Sequence, residues 1–129
     1  MEVINHYFYT KEHEWINIDG ATASVGITDY AQSALGDITF IELPKSGTEI
    51  EQFEQIASVE SVKAASDIFS PMGGKIADVN NDLEGDPGLI NKSCYEKGWI
   101  IKIEIANINE RSNLMNAEEY GKFLESLDG

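Results

Sequence analysis

The feature that most constrains the fold is a succession of short alternating segments, each cut off by turn residues. Trp99 to Ile105 places Trp99, Ile101, Ile103 and Ile105 on one face and Lys102 and Glu104 on the other, the period of a half-buried strand. Glu14 to Ile18 and Ala21 to Ile27 flank Asp19-Gly20, which suits a two-residue hairpin turn because both residues tolerate positive φ. Ile38 to Leu43 reads as an apolar strand stopped by Pro44-Lys45-Ser46-Gly47. Phe53 to Val62 and Ser66 to Phe69 are joined tightly around Lys63 and Ala64. Pro71 and Gly73-Gly74 then break the run before Lys75 to Val79, and Asn80 to Asn91 reads as a polar loop.

Helix is expected only near the two ends. Thr28 caps a short helix through Leu35, which Gly36 ends. Asn116 with Glu119 three positions on forms a capping pair for an amphipathic C-terminal helix over about 116–127, with Tyr120, Phe123, Leu124 and Leu127 at helical spacing. Regularly spaced short strands with many turn glycines favour a small sandwich or barrel over a parallel sheet. The expectation is a mainly β fold in one domain over residues 1–129, with the C-terminal helix packed on the β body.

Charge and chemistry narrow the functions. Nine basic residues against 23 acidic ones leave a net charge of −14, which repels nucleic acid and anionic membranes alike. No apolar run approaches the ~20 residues that cross a bilayer. The first residues lack the cationic-then-apolar order of a signal peptide, and Arg111 is the only arginine, so an Arg-rich transit peptide is not expected. A lone cysteine, Cys94, excludes an internal disulfide and a Cys-x-x-C site, and points to a reducing compartment. His6 and His13 have no metal-ligand spacing to it, so no metal site is expected. There is no nucleophile elbow, phosphate loop or dinucleotide fingerprint, so an active site of the chain's own is not expected.

One segment stands apart. Glu60-Ser61-Val62-Lys63-Ala64-Ala65-Ser66-Asp67 puts a lysine at a hairpin turn, open to a modifying enzyme. On geometry alone an ordinary solvated turn lysine is the simpler reading. The residues themselves change this. Glu60 to Asp67, followed by Ile68-Phe69-Ser70-Pro71, resembles the lipoyl-lysine hairpin of the glycine cleavage system H proteins. His13-Glu14-Trp15, Gly26-Ile27-Thr28-Asp29-Tyr30-Ala31-Gln32, Leu35-Gly36-Asp37 and Glu42-Leu43-Pro44 with Gly47 resemble the blocks before it. Gly74, Val79-Asn80, Pro87-Gly88-Leu89-Ile90-Asn91, Tyr95 and Gly98-Trp99 resemble those after it, so the likeness runs from about Tyr9 to Ile103.

The resemblance implies a barrel-sandwich hybrid of two small antiparallel sheets, with Lys63 exposed and joined by an amide to lipoic acid. It implies a non-catalytic carrier. Such a carrier takes the aminomethyl group of glycine from the pyridoxal-phosphate-dependent P protein and gives the one-carbon unit to the tetrahydrofolate-dependent T protein. It is reoxidised by the flavin-dependent L protein, and lipoate-attaching enzymes are further partners. A tethered arm makes successive encounters local, and the redox sulfurs belong to the cofactor, so one cysteine suffices. The implied setting is bacterial cytoplasm or the mature form of the mitochondrial matrix, and the implied state a monomer. An acidic carrier suits steering towards basic patches on several partners.

Glu14 and Asp67 are candidates to hold the ammonium end of the carried group, against the reading of ordinary surface acids. Glu60 is a candidate for recognition by the lipoylating enzyme, or a charged strand end. His13 is expected to orient backbone, and Trp15 and Trp99 to anchor the core. Cys94 replaces a proline usual before Tyr95 and is expected to be a buried structural thiol, while Met72-Gly73 departs from the usual residues before Gly74. A biotinyl carrier is set aside because Val62 and Ala64, not methionines, flank Lys63. A lipoyl domain of a 2-oxo acid dehydrogenase is set aside because such domains lack the His13-Glu14-Trp15 block and the C-terminal helix. An H-like relay or store of lipoyl groups and an unmodified acidic scaffold stay open as alternatives, and the scaffold predicts that Lys63→Arg changes nothing.

Overall fold

Alternation and turns assemble into two antiparallel sheets in the computed structural model, which describes residues 1–127; residues 128 and 129 of the expected domain lie outside the described residues. The larger sheet has the order β1 (Phe8–Tyr9), β2 (Glu14–Asp19), β3 (Thr22–Ile27), β9 (Ile101–Ile105), β8 (Gly74–Val79), β5 (Glu49–Ile50). The smaller is β4 (Ile38–Glu42), β6 (Gln55–Ser61), β7 (Ala65–Phe69). Four α-helical segments join them: α1 (Asp29–Leu35), α2 (Asp82–Gly85), α3 (Leu89–Lys92) and α4 (Ala117–Leu127), with a 3-10 helix at Ile108–Asn113 before α4. The result is the mainly β barrel-sandwich with a short helix in the N-terminal half and a helix at the C-terminal end.

Local chemistry explains most boundaries. The Thr28 hydroxyl accepts the N–H of Ala31 to start α1, and Gly36, at φ +74°, ends it by donating to the Gln32 carbonyl. Asn116 and Glu119 form a reciprocal capping box, each side chain accepting the other's backbone N–H at 2.8 and 2.9 Å. The first hairpin turns one residue later than expected. Asp19 pairs with Thr22, so Gly20-Ala21 is the two-residue connection, and of these only Gly20 takes positive φ, at +64°. Glycine first fits a type II′ turn, not a turn with both positions left-handed.

Other differences have physical causes. Asn80 to Asn91 holds α2 and all but the last residue of α3, because Leu83 and Ile90 within that polar stretch are fully buried. The strand expected from Trp99 begins at Ile101; Trp99 is half-buried with the Lys102 ammonium over its ring, and it is Ile100 that is buried. Leu127 of α4 is exposed, so that helix seats Tyr120 and Leu124 with Phe123 partly covered. The two-residue β1 and β5 are too short for a periodic signal.

The core divides in two. An aliphatic layer between the sheets includes Ile16, Val25, Val59, Ile68, Ile76, Ile101 and Ile103. An aromatic layer of Tyr7, Tyr9, Trp15 and Tyr95 packs with Tyr120 and Leu124 of α4. Trp15 is its anchor: 1% exposed, its indole N–H donates to the Cys94 carbonyl at 3.0 Å. Gly26 lies flat against that ring, and a Cβ there would sit 2.6 Å from Trp15 Cζ2. Because the indole is packed on every side, Gly26→Ala should destabilise the chain by roughly 1–3 kcal/mol, the usual cost of overpacking. A lowered melting temperature with unchanged far-ultraviolet dichroism is the expected measurement.

Candidate functional site

The β6–β7 hairpin presents Lys63 at its tip. Ser61 builds the turn: its N–H donates to the Ala64 carbonyl at 2.8 Å, and its hydroxyl oxygen accepts the N–H groups of Lys63 and Ala64 at 3.2 and 3.1 Å. Val62 N–H donates to the Asp37 carbonyl at 3.0 Å, tying the tip to the loop after α1. The Lys63 stem passes Gly36 so closely that a Cβ there would lie 3.3 Å from Lys63 Cε. Lys63 is exposed, and among the described residues the only ion pair is the surface pair Lys122–Glu118. Its amine is therefore a free nucleophile when deprotonated, on a braced turn.

From Lys63, β7 leads within at most about 20 Å of chain to Phe69. The Phe69 N–H donates to Glu14 Oε2 at 3.1 Å. Glu14 is 1% exposed and lines a cavity of about 490 Å³ whose other walls include Tyr9, Thr10, Phe53, Phe69 and Met115. Thr10 holds it from both sides, its hydroxyl donating to Glu14 Oε1 at 2.5 Å and accepting the Glu14 N–H at 3.1 Å. Burial pushes the Glu14 carboxyl up to about 7, against the lowering effect of the Thr10 and Phe69 hydrogen bonds, with the Glu12 charge raising it further. Among the described residues no cation is bonded to it, although Lys11 lines the same cavity. A buried carboxyl facing a cavity in this way can accept a cation there.

Comparison with known proteins gives the family. A sequence model described as glycine cleavage H-protein matches residues 7–127. The chain belongs to the glycine cleavage H-protein family. It is 48% identical over 128 residues to the glycine cleavage system H protein of Halothermothrix orenii, covering 99% of this chain and 100% of that one. It is also 48% identical over 126 residues to the mitochondrial glycine cleavage system H protein 2 of Arabidopsis thaliana, covering 98% of this chain and 81% of that one. The crystal structure of the glycine cleavage system H protein of Mycobacterium marinum superposes with a TM-score of 0.86 at 35% identity, covering 95% of this chain and 99% of the other.

Within this H-protein framework the residues singled out by sequence fall in different places. Glu14 is no surface acid but the buried carboxyl of the cavity. Asp67 is exposed on β7 between Lys63 and Phe69, with Oδ1 accepting from Gln55 at 3.1 Å. Glu60 is exposed on β6, cross-strand from Phe40 and Ala65. Cys94 is buried, and its thiol is pushed up to about 12, by burial first and then by the Asp29 and Glu2 charges, which makes it unreactive. His13 takes φ +69°, fixes backbone through Thr28 N–H and meets the Tyr120 hydroxyl at 2.8 Å with Nδ1. Met72 is fully buried. Among the described residues no group of His, Cys, Asp and Glu is placed to hold a metal ion.

Sequence reasoning missed Thr10, Phe53, Phe69 and Met115 as cavity walls. They come from four separate segments, brought together by the Tyr9–Met115 bridge and by the Thr10–Glu14, Glu14–Phe69 and Phe53–Ser70 hydrogen bonds. Thr10 had a faint signal as a hydroxyl four residues before a strand-borne acid.

The raised Glu14 carboxyl makes stability pH-dependent in a defined direction. The folded chain keeps this proton where the unfolded chain, near 4.5, has lost it, so the contribution to stability is full below about pH 4.5 and is lost as pH rises through about 7. His13, lowered by burial, works the other way: its contribution is present above its ordinary 6.5 and lost on acidification. Comparing Glu14→Gln with wild type isolates the first effect. The variant should melt several degrees higher at pH 8, with the gap closing towards pH 4.5, on the scale of about 4 °C per kcal/mol. Equal melting temperatures at both pH values would show that Glu14 is not protonated in the fold.

Proposed function

We propose that the chain is the lipoyl-carrying component of the glycine cleavage system, one carrier unit over residues 1–129. Lys63 bears lipoic acid through an amide. The chain passes the aminomethyl group of glycine from the P protein to the T protein and electrons to the L protein, and has no catalytic site of its own. One observation carries this reading: an exposed lysine, unpaired among the described residues, stands on a braced hairpin whose strand leads to a cavity that holds the buried Glu14 carboxyl between aromatic walls, with Lys11 and Glu12 at its rim.

When attached, the lipoyl group supplies a cyclic disulfide that opens to take the one-carbon unit. Everything else falls to this chain's residues. Ser61 and the Asp37 carbonyl hold the tip so that Lys63 projects the same way to each partner. Glu14, kept in place by Thr10 and Phe69, receives the ammonium end of the cargo as a carboxylate, its own proton passing to solvent. Asp67, exposed along the same strand, offers a second carboxylate on the way. Glu60 faces outward beside the hairpin, where a lipoate-attaching enzyme reads it. A monomer suits a hairpin that must enter several active sites. The working compartment is bacterial cytoplasm or, in a eukaryote, the mitochondrial matrix; no described helix is long and apolar enough to cross a membrane.

Intact mass before and after incubation with lipoate, ATP and a lipoate ligase tests the attachment. Wild type should gain one lipoyl amide and Lys63→Arg none. The modified wild type should then support glycine-dependent release of carbon dioxide by a P protein. Modification without that activity would favour the relay reading, and no modification the acidic scaffold.

A further inference from the structure

The tip of the lysine hairpin is tied to the loop after α1, and one side chain holds that loop. Val62, the residue before Lys63, donates its N–H to the Asp37 carbonyl at 3.0 Å. The same peptide unit, between Asp37 and Ile38, donates its own N–H to Asn91 Oδ1 at 2.9 Å. A trans peptide points its N–H and its C=O in opposite directions, so holding the one aims the other. The preceding carbonyl, that of Gly36, accepts from Asn91 Nδ2 at 2.8 Å. Gly36 stands at φ +74° and ψ −155°, a state open to glycine, where no side chain of its own fixes the peptide plane. Asn91 therefore holds the peptide on each side of Asp37, beside the stem of Lys63 where it passes Gly36.

Asn91 is itself anchored. It lies in α3 next to Ile90, which is fully buried in the aliphatic core. Its Nδ2 also donates to Gln32 Oε1 at 3.0 Å, and Gln32 Nε2 donates to Asp29 Oδ1 at 2.8 Å. The other Asp29 oxygen accepts the Glu2 N–H at 2.8 Å. Asp29 fixes the sense of the whole chain, because a carboxylate only accepts: Gln32 must give it Nε2, show Oε1 to Asn91, and so leave Asn91 Oδ1 for Ile38. We propose that Asn91 is a positioning residue for Lys63: through the Asp37–Ile38 peptide it holds Val62, and with it the lysine, in one direction for the enzymes that must grip the tip. The inference deepens the carrier reading and rests on it. A tip already held costs a partner no ordering on binding, so its benefit falls on the affinity for the hairpin and not on the chemistry that follows.

The test compares wild type with Asn91→Asp, which still accepts from Ile38 but cannot donate to Gly36 or Gln32. Gln32→Met, close in length and without an amide, frees Asn91 on one side only and serves should the first variant fold poorly. Asn80→Ala is the control, since its amide makes the same kind of paired carbonyl bonds, to Lys97 and Trp99, and none to this loop. In the unmodified chains, NMR should show the Val62 amide exchanging on the order of tenfold faster in Asn91→Asp and less so in Gln32→Met, with Asn80→Ala at the wild-type rate. With a lipoate ligase, the KM for Asn91→Asp should rise roughly threefold to tenfold at unchanged kcat, and the KM for Asn80→Ala should stay put. Wild-type Val62 exchange and wild-type KM in a folded Asn91→Asp would overturn the proposal, as would equal changes in Asn80→Ala. Faster exchange with an unchanged KM would overturn it too, since the bonds would then serve the fold alone. A wild-type chain that accepts no lipoate would instead overturn the carrier reading, with Val62 exchange still reporting what Asn91 holds.

Discussion

The hydrogen bond from Phe69 to Glu14 joins the two sheets at the point where both matter. β2 of the larger sheet begins at Glu14, and β7 of the smaller sheet ends at Phe69, having started at the Lys63 hairpin. The tie therefore fixes the hairpin relative to the cavity, not merely one sheet to the other. It is made by a group that gains little from burial. A neutral side chain of the same shape would cost the fold less above pH 7, where Glu14 must carry charge in an apolar site. Among the described residues no cation is bonded to Glu14, so above about pH 7 its charge is met only by the Thr10 and Phe69 hydrogen bonds.

The rest of the molecule serves to hold Glu14 still. Trp15, the next residue, is locked between Gly26 and the Cys94 carbonyl, and His13, the preceding one, is bound through its carbonyl to Thr28 and through its ring to Tyr120. Tyr120 belongs to α4 and also meets the Thr28 hydroxyl at 2.7 Å, so the cap of α1, the start of β2 and the C-terminal helix share one buried hydroxyl network. In this light α4 is a brace for the Glu14 segment. The Tyr9–Met115 bridge, just before α4, completes the cavity wall from the same side.

Much of this was legible in the residues, and the limits are physical. The Asn116–Glu119 capping box, the Thr28 cap and the alternation of β9 are encoded within a few neighbouring positions, so a linear reading finds them. The turn at Lys63 was legible because it and its flanking strands are contiguous in the chain, but the lysine itself stood out only through the likeness of Glu60 to Asp67 to the family's hairpin. Glu14 was found as a residue but its surroundings were not. Whether an acid sits on the surface or under a wall depends on pairings between Tyr9 and Met115 or Glu14 and Phe69, more than fifty residues apart in sequence. No periodicity carries that information. The helices in the polar Asn80–Asn91 stretch were hidden for a related reason: single apolar residues, Leu83 and Ile90, find the core only once the sheets exist.

Backbone strain gives a last, independent pointer to the same place. Among the described residues only two that are not glycine have positive φ, His13 and Phe53. They are distant in sequence and lie in different loops, yet one directly precedes Glu14 and the other forms part of its cavity wall. Strained conformations persist only where surrounding bonds over-determine them, and they collect where a site needs a geometry that relaxed chain would not supply. Both conditions hold: His13 is pinned by Thr10, Thr28 and Tyr120, and Phe53 by Ser70 and the neighbouring turn. The ring of His13 contributes to the aromatic layer and so recovers part of its cost through packing with Tyr30, Tyr120 and Phe123. Phe53 recovers none in the core, because it is exposed and belongs to neither hydrophobic cluster.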